Sequence, residues 1–253
     1  MSEPYPEVVA RFYDAVYAHI RDGTDDAFYL DRMEQAGGPV LEIGCGTGRL
    51  LRRALGRGVD AWGVDASPAM VARCRAQLPP EQQARVVEAD AVSLHLDRRF
   101  ALVTAPFRVL SHVSAVEDQL RLLAAVREHL LPGGSFVFDL YVPHLPLLIE
   151  GLPERVDFDG AWAPGRRLRR LVASRPADLA RQTSHVRMAF VWDEGEGERR
   201  AHWEFDMRFF FRFEIEHLVA RSGLRLASLD GDFAGGPLTA DSREYVVTCR
   251  REG

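Results

Sequence analysis

Three glycines in five residues (Gly44, Cys45, Gly46, Thr47, Gly48) follow the apolar run Val40, Leu41, Glu42, Ile43 and precede a helical pattern at 49–55. Glycine is required where the backbone takes a positive φ or where a ligand lies against the main chain. A strand, a tight glycine turn and a helix in that order open a parallel sheet wound by βα units. The spacing is G-x-G-x-G, and Arg49 stands where a dinucleotide fingerprint would place its third glycine, which argues against NAD.

The rest of the chain extends that beginning. Apolar runs at 59–64, 85–88, 100–105 and 135–141 read as further strands, the last apolar on both faces and therefore central. Ser67 and Pro68 supply an N-cap and a first helical residue for a helix to about 77. Val116, Leu120, Leu123, Val126 and Leu130 mark an amphipathic helix that Pro132, Gly133 and Gly134 stop. From 156 to 213 the period changes to two, with a hairpin turn at 195–197 and a strand at 202–213. A helix at 214–222 and a terminal antiparallel pair, 224–229 and 245–250, complete the sheet. The fold expected is α/β: a Rossmann-like seven-stranded sheet with helices on both faces and an antiparallel β insertion after the fifth strand. Residues 1–38 form an N-terminal helical lid, 39–155 and 214–253 the core, and 156–213 the insertion over the acceptor site.

Composition removes several functions. Among 253 residues there is no lysine, so all 32 basic residues are arginines, and Schiff-base and P-loop chemistry are excluded. A net charge of −5 does not suit a nucleic-acid partner. Nothing approaches the ~18 apolar residues of a membrane span. The segment 1–13 has no apolar signal core, and Cys45, Cys74 and Cys249 fit neither a disulfide framework nor a zinc site, so a cytoplasmic protein without a metal is expected.

Glu42, Asp65 and Asp90 stand at the carboxyl ends of three strands, the edge at which open α/β sheets bind ligands. An acid in the place of Asp65 accepts ribose hydroxyls, and Asp90 with Ala91 reaches an adenine amino group, so a nucleoside-bearing ligand is expected.

These segments (42–48, 63–70, 88–90 and 131–134) resemble the successive motifs of class I S-adenosylmethionine-dependent methyltransferases, over about 5–230 of the chain. Within that superfamily the chain resembles small-molecule N-methyltransferases that act on nucleotide-linked amino sugars. They share the Tyr-Asp-x-x-Tyr opening, here Tyr13, Asp14 and Tyr17, and an insertion after the fifth strand. The resemblance implies S-adenosyl-L-methionine as cofactor. Gly44, Cys45, Gly46 and Gly48 would hold its methionine part with Glu42 nearby, Asp65 the ribose, and Asp90 and Ala91 the adenine. Ala66 and Met70 would pack on the adenine ring, with Pro106 beside it, and Tyr17 would cover the methionine end. The chain departs from amine-directed DNA and protein-glutamine enzymes at Ala105, Pro106 and Phe107, where their acidic or amide motif is absent.

An activated sulfonium methyl needs alignment and exclusion of water more than it needs an acid or base. His112 and Tyr17 are the residues expected at the reacting centre. Tyr13, Phe107, Arg108, Tyr141, His144, Phe210 and Arg212 are candidates for the acceptor pocket, Arg212 for a carboxylate or phosphate. Asp139, inside an apolar strand, is either a base or a structurally paired carboxylate. The function expected is methyl transfer to N or O of a small molecule by a monomer or homodimer. A non-catalytic cofactor-binding protein and an RNA methyltransferase are the alternatives.

Overall fold

Two helices precede the first strand, α1 (Glu7–Ile20) and α2 (Thr24–Glu34). The computed structural model describes residues 4–20, 23–195 and 197–252; residues 1–3, 21 and 22 of the expected lid and Glu196 of the expected 195–197 turn lie outside them. There follow β1 (Val40–Ile43), α3 (Leu51–Gly56), β2 (Ala61–Asp65), α4 (Pro68–Ala76), β3 (Val86–Glu88), β4 (Phe100–Ala105), α5 (Val116–His129) and β5 (Leu130–Tyr141). Next come α6 (Leu145–Glu150), β6 (Leu152–Ala163), β7 (Arg166–Ser174), β8 (Thr183–Glu194), β9 (Gly197–Arg208), α7 (Arg212–Ser222), β10 (Arg225–Asp230) and β11 (Glu244–Arg250). Short 3₁₀ turns occupy Pro80–Arg85, Ala91–Ser93 and Val109–His112.

Two sheets result. The larger has seven strands in the order β10-β11-β5-β4-β1-β2-β3, and β6 to β9 form a separate four-stranded sheet. The pairs β1–β2, β1–β4, β2–β3 and β4–β5 are parallel, while β11 runs antiparallel to β5 and to β10. The strand order reverses between β1 and β4, so the carboxyl ends of β1, β2 and β4 open onto one crevice. Strand β1 is buried along its whole length, and so is most of β5, because helices cover both faces. One core holds Phe136, Phe138, Leu122 and Val126 together with Leu218 and Val219 of α7, and the other holds Tyr29, Leu30, Leu51, Ala54 and Cys74.

A third core, outside the large sheet, joins α1 to the insertion. Phe12, fully buried, meets Trp162 edge-on at 5.1 Å and Trp192 at 5.2 Å. Burying such a ring stabilises the contact by roughly 1.5–3 kcal/mol. Arg11 pairs with Glu194 at 2.6 Å and lies over the Trp162 ring. On its other side α1 is tied to the glycine turn, where Thr47 Oγ1 donates to Asp14 and Gln77 Nε2 donates to the same carboxylate at 3.2 Å. Helix α1 is thus held against both sheets.

The sequence expectation fails at 209–213. The strand stops at Arg208, and Arg212 and Phe213 belong to α7. Arg208 explains the break, because its guanidinium turns back to donate to the carbonyl of Arg181 at 2.6 Å and to Glu214 at 2.5 Å. The alternation expected for the phenylalanines is lost with the strand: Phe209 and Phe210 are buried, whereas Phe211 and Phe213 are exposed. The insertion also begins at Leu152, ahead of the expected 156, after the unforeseen helix α6. Among the described residues no helix is long and apolar enough to cross a membrane.

Candidate functional site

The crevice holds a cleft of about 940 Å³, mouth included. Its floor is main chain and carboxylate. Gly44 and Cys45 donate their amides to the carbonyl of Val64 at 2.8 and 3.0 Å, fastening the turn to β2. Asp65 accepts from Gly46 N through one oxygen and from Ser67 N through the other, each at 2.8 Å. Ser67 caps α4 by accepting from Met70 N at 3.3 Å. A carboxylate oxygen has two lone pairs, so both oxygens of Asp65 retain an acceptor toward the cleft they line. Burial raises the Asp65 pKa, while the two amides act against it. Glu42, 3% exposed, lines the same floor with its pKa raised well above the ordinary value by burial.

The floor fits the methionine and ribose parts of S-adenosylmethionine. Gly46 has φ +56 and nothing within 4 Å of where a Cβ would stand, so its main chain is open to a ligand. The buried Oε2 of Glu42 has no hydrogen-bond partner among the described residues, which suits an ammonium group. Ala66, Met70, Ala89 and Ala91 give the apolar edge that an adenine ring requires.

The roof is aromatic and is assembled from distant segments. Tyr5 hydrogen-bonds His112 Nε2 at 3.2 Å across 107 residues and is itself fixed by Ser67 Oγ, which donates to the Tyr5 carbonyl at 2.6 Å. The Tyr5 ring lies 6.4 Å from Tyr13, 5.5 Å from His112 and 4.5 Å from Trp203. Trp203 stacks on Phe205 at 4.0 Å, and Phe205 lies 5.6 Å from His112. Desolvation pushes the His112 pKa down to about 4 and the Tyr5 pKa well above 10, so both are neutral at pH 7.

The structure sorts the expected residues into two groups. Glu42, Gly44, Cys45, Gly46, Asp65, Ala66, Met70, Ala91, Pro106, Tyr13, Phe107 and His112 all line the cleft. The others are not among its lining residues. Tyr17 sits behind Tyr13 at 4.2 Å, edge-on to Phe107 at 5.3 Å and under the Arg170 guanidinium. One helical turn separates the two tyrosines, and Arg170, held by Asp157 at 2.6 and 3.0 Å, anchors the second away from the cleft. Gly48, at φ +85, lies where a Cβ would meet Cys74 Sγ at 2.5 Å, so it serves the packing of the turn on α4. Asp90 caps the turn that follows β3 by accepting from Val92 N at 2.8 Å. Arg108 pairs with Glu244 at 2.7 Å and lies over Tyr141, whose pKa burial pushes up to about 12. His144 is exposed at the start of α6, Phe210 is core, and Arg212 pairs with Glu216 at 2.8 Å on the surface.

Sequence reasoning passed over Tyr5, Arg49, Trp203 and Phe205. Tyr5 carried a signal in its flanking prolines, and Trp203 and Phe205 carried one in the polar–apolar alternation of residues 202–207. Arg49 lines the cleft and pairs with Asp25 at 3.6 Å and with Asp26. Among the described residues no group of three or more His, Cys, Asp or Glu side chains could hold a metal ion.

Comparison with known proteins places this geometry. A family model described as a methyltransferase domain matches residues 40–134. The chain is 28% identical over 256 residues to a cypemycin N-terminal methyltransferase of a Streptomyces species, covering 100% of both. It is 26% identical over 201 residues to the dTDP-3-amino-3,4,6-trideoxy-alpha-D-glucopyranose N,N-dimethyltransferase of Streptomyces venezuelae, covering 78% of this chain and 79% of the relative. Its fold matches that of an S-adenosylmethionine-dependent methyltransferase from Clostridium acetobutylicum with a TM-score of 0.79 at 19% identity, covering 97% and 98% of the two chains.

Proposed function

We propose that this S-adenosylmethionine-dependent methyltransferase of the class I fold places its methyl group on an amine nitrogen of a small molecule. The observation that carries the choice of nitrogen is the character of the roof. The carboxylates lining the cleft, Glu42 and Asp65, belong to its floor, and among the described residues the roof is made of aromatic rings and one histidine whose pKa lies near 4. A base that weak takes a proton from an alcohol poorly at neutral pH. An uncharged amine attacks with its own lone pair and releases its proton afterwards to water. Of the two relatives with the identities given above, one is named a cypemycin N-terminal methyltransferase and the other an amino-sugar N,N-dimethyltransferase.

Bound S-adenosylmethionine supplies an electrophilic methyl on a sulfonium, already activated for attack. The chain's part is to position and to dry the site. The turn at 44–46, Glu42 and Asp65 hold the polar parts of the cofactor. Tyr5 and His112, joined to each other, offer neutral hydrogen-bonding groups that orient the acceptor amine, while Tyr13 and Phe107 exclude water.

The test pairs acceptors that differ in one atom. The protein is incubated with methyl-labelled cofactor and a panel of short peptides with free α-amino groups and of amino sugars, each beside its hydroxyl counterpart. Mass spectrometry should find label on amines and not on hydroxyls. Label on a hydroxyl partner at a comparable rate would overturn the nitrogen assignment.

A further inference from the structure

We infer that Asp139 is a positioning residue for methyl transfer, holding the turn after β4 in a backbone conformation it would not otherwise keep and thereby setting Phe107 and His112 against the cleft. This rests on the reading of the cleft as the methyl-transfer site. Asp139 is 3% exposed in the apolar strand β5. Strand β4 ends at Ala105, opposite Phe138, so the chain leaves the sheet one position before it would face Asp139. There the Asp139 carboxylate accepts from Phe107 N at 2.7 Å and from Arg108 N at 3.2 Å, one on each oxygen. Tyr29 of α2, fully buried, donates its hydroxyl to the same carboxylate at 2.6 Å.

The two residues whose amides it takes are the unusual ones. Phe107 has φ 61 and Arg108 φ 63, the left-handed region in which a Cβ crowds the neighbouring carbonyl. Two consecutive non-glycine residues in that region persist only when their surroundings over-determine them. Asp139 supplies the determination, with two amide hydrogen bonds from inside and a third bond to α2 that fixes the acceptor itself. The arc that follows is functional. Phe107 and Val109 line the cleft, a Val109 methyl lies 2.5 Å from where Gly44 would carry a Cβ, and His112 closes the arc beside Tyr5. A shift of the 107–108 pair therefore moves the roof and its contact with the glycine turn together. Asp139 is not itself among the residues that line the cleft, so it acts through the turn and not on the reacting atoms.

The experiment uses the full chain with Asp139→Asn, whose amide NH₂ would confront a backbone N–H. Hydrogen exchange at the amides of 107 and 108 should quicken about tenfold, and turnover at saturating acceptor should fall by about the same factor, the scale of one charge-assisted hydrogen bond. Affinity for S-adenosylhomocysteine, measured by calorimetry, should stay within about threefold, because the floor is untouched. Two double variants isolate the strain. Arg108→Gly and Arg108→Ala, each added to Asp139→Asn, both remove the guanidinium, but only glycine takes the left-handed conformation freely. The glycine variant should recover exchange protection and turnover that the alanine variant does not. Equal behaviour of the two, or wild-type exchange in Asp139→Asn, would overturn the inference. Should Asp139→Asn not fold, Tyr29→Phe must still quicken exchange at 107 and 108, and unchanged exchange there would overturn it equally. A wild-type protein that transfers no methyl group would instead strike the reading of the cleft, leaving the exchange result to judge the turn.

Discussion

The two walls of the cleft are built on opposite plans. The floor comes from a short stretch of sequence, the turn at 44–46 and the acids Glu42 and Asp65, and it presents main-chain groups and carboxylates fastened by bonds of 2.8–3.0 Å. The roof comes from α1 and the residues before it, the turn after β4 and the insertion, and it presents rings 4.0–6.4 Å apart. A wall of backbone admits almost no substitution, because a Cβ at Gly44 would strike Val109 at 2.5 Å. A wall of side chains can be re-cut residue by residue while its scaffold stands. On the proposed function, the cofactor would lie on the rigid wall and the methyl acceptor under the adjustable one.

The largest effect should come from acid, acting through the buried His112 of the roof. His112 titrates near pH 4 in the folded protein against an ordinary value of about 6.5. Between these values the unfolded chain binds a proton that the folded chain does not. Stability should therefore fall as pH drops below about 6.5, by roughly 3 kcal/mol in all, and level off below 4. Denaturant melts at successive pH values measure the slope, which His112→Ala should lack; an equal slope in that variant removes His112 as its source. The same titration means that His112 should add no acidic limb near pH 6.5 to methyl transfer.

Asp65→Ala strikes the floor. It removes the acceptor for Gly46 and Ser67 as well as the expected ribose contact, and should weaken S-adenosylmethionine binding by about 1.5–3 kcal/mol. Calorimetry giving an unchanged dissociation constant would leave Asp65 as a cap alone. Tyr5→Phe strikes the roof in the converse way. Loss of its bond to His112 should slow acceptor methylation by about 0.5–1.5 kcal/mol in kcat/KM with cofactor affinity intact. A matching drop in cofactor affinity would dissolve the division between the walls. The smallest effect belongs to Arg212→Ala, exposed and far from both walls; turnover and melting should stay within about 0.5 kcal/mol of wild type, and a larger loss of turnover would place Arg212 back in the acceptor pocket.

Much of the floor was legible because its parts are local. A glycine turn after β1 and acids at strand ends are read from spacing. The roof was legible only in part. His112, Phe107 and Tyr13 line the cleft, whereas Tyr17, expected at the reacting centre, lies under the Arg170 guanidinium. Asp90 was read as an adenine contact, and the amide of Val92 now engages one of its oxygens. The strand expected through Phe213 ended at Arg208 because a side-chain bond to Glu214, six residues on, outweighed an uninterrupted apolar pattern.

The sequence by itself therefore determined the seven-stranded α/β sheet and the glycine turn, because each depends on backbone conformation and period, which neighbouring residues dictate, while its resemblance to class I methyltransferases implied the cofactor. Only the tertiary structure decided which tyrosine faces the cleft, that Tyr5 and His112 meet across 107 residues, and that Asp139 holds the turn bearing Phe107. These depend on how α1, β5 and the insertion pack, and the period of an isolated helix or strand carries no record of which distant surface will cover it.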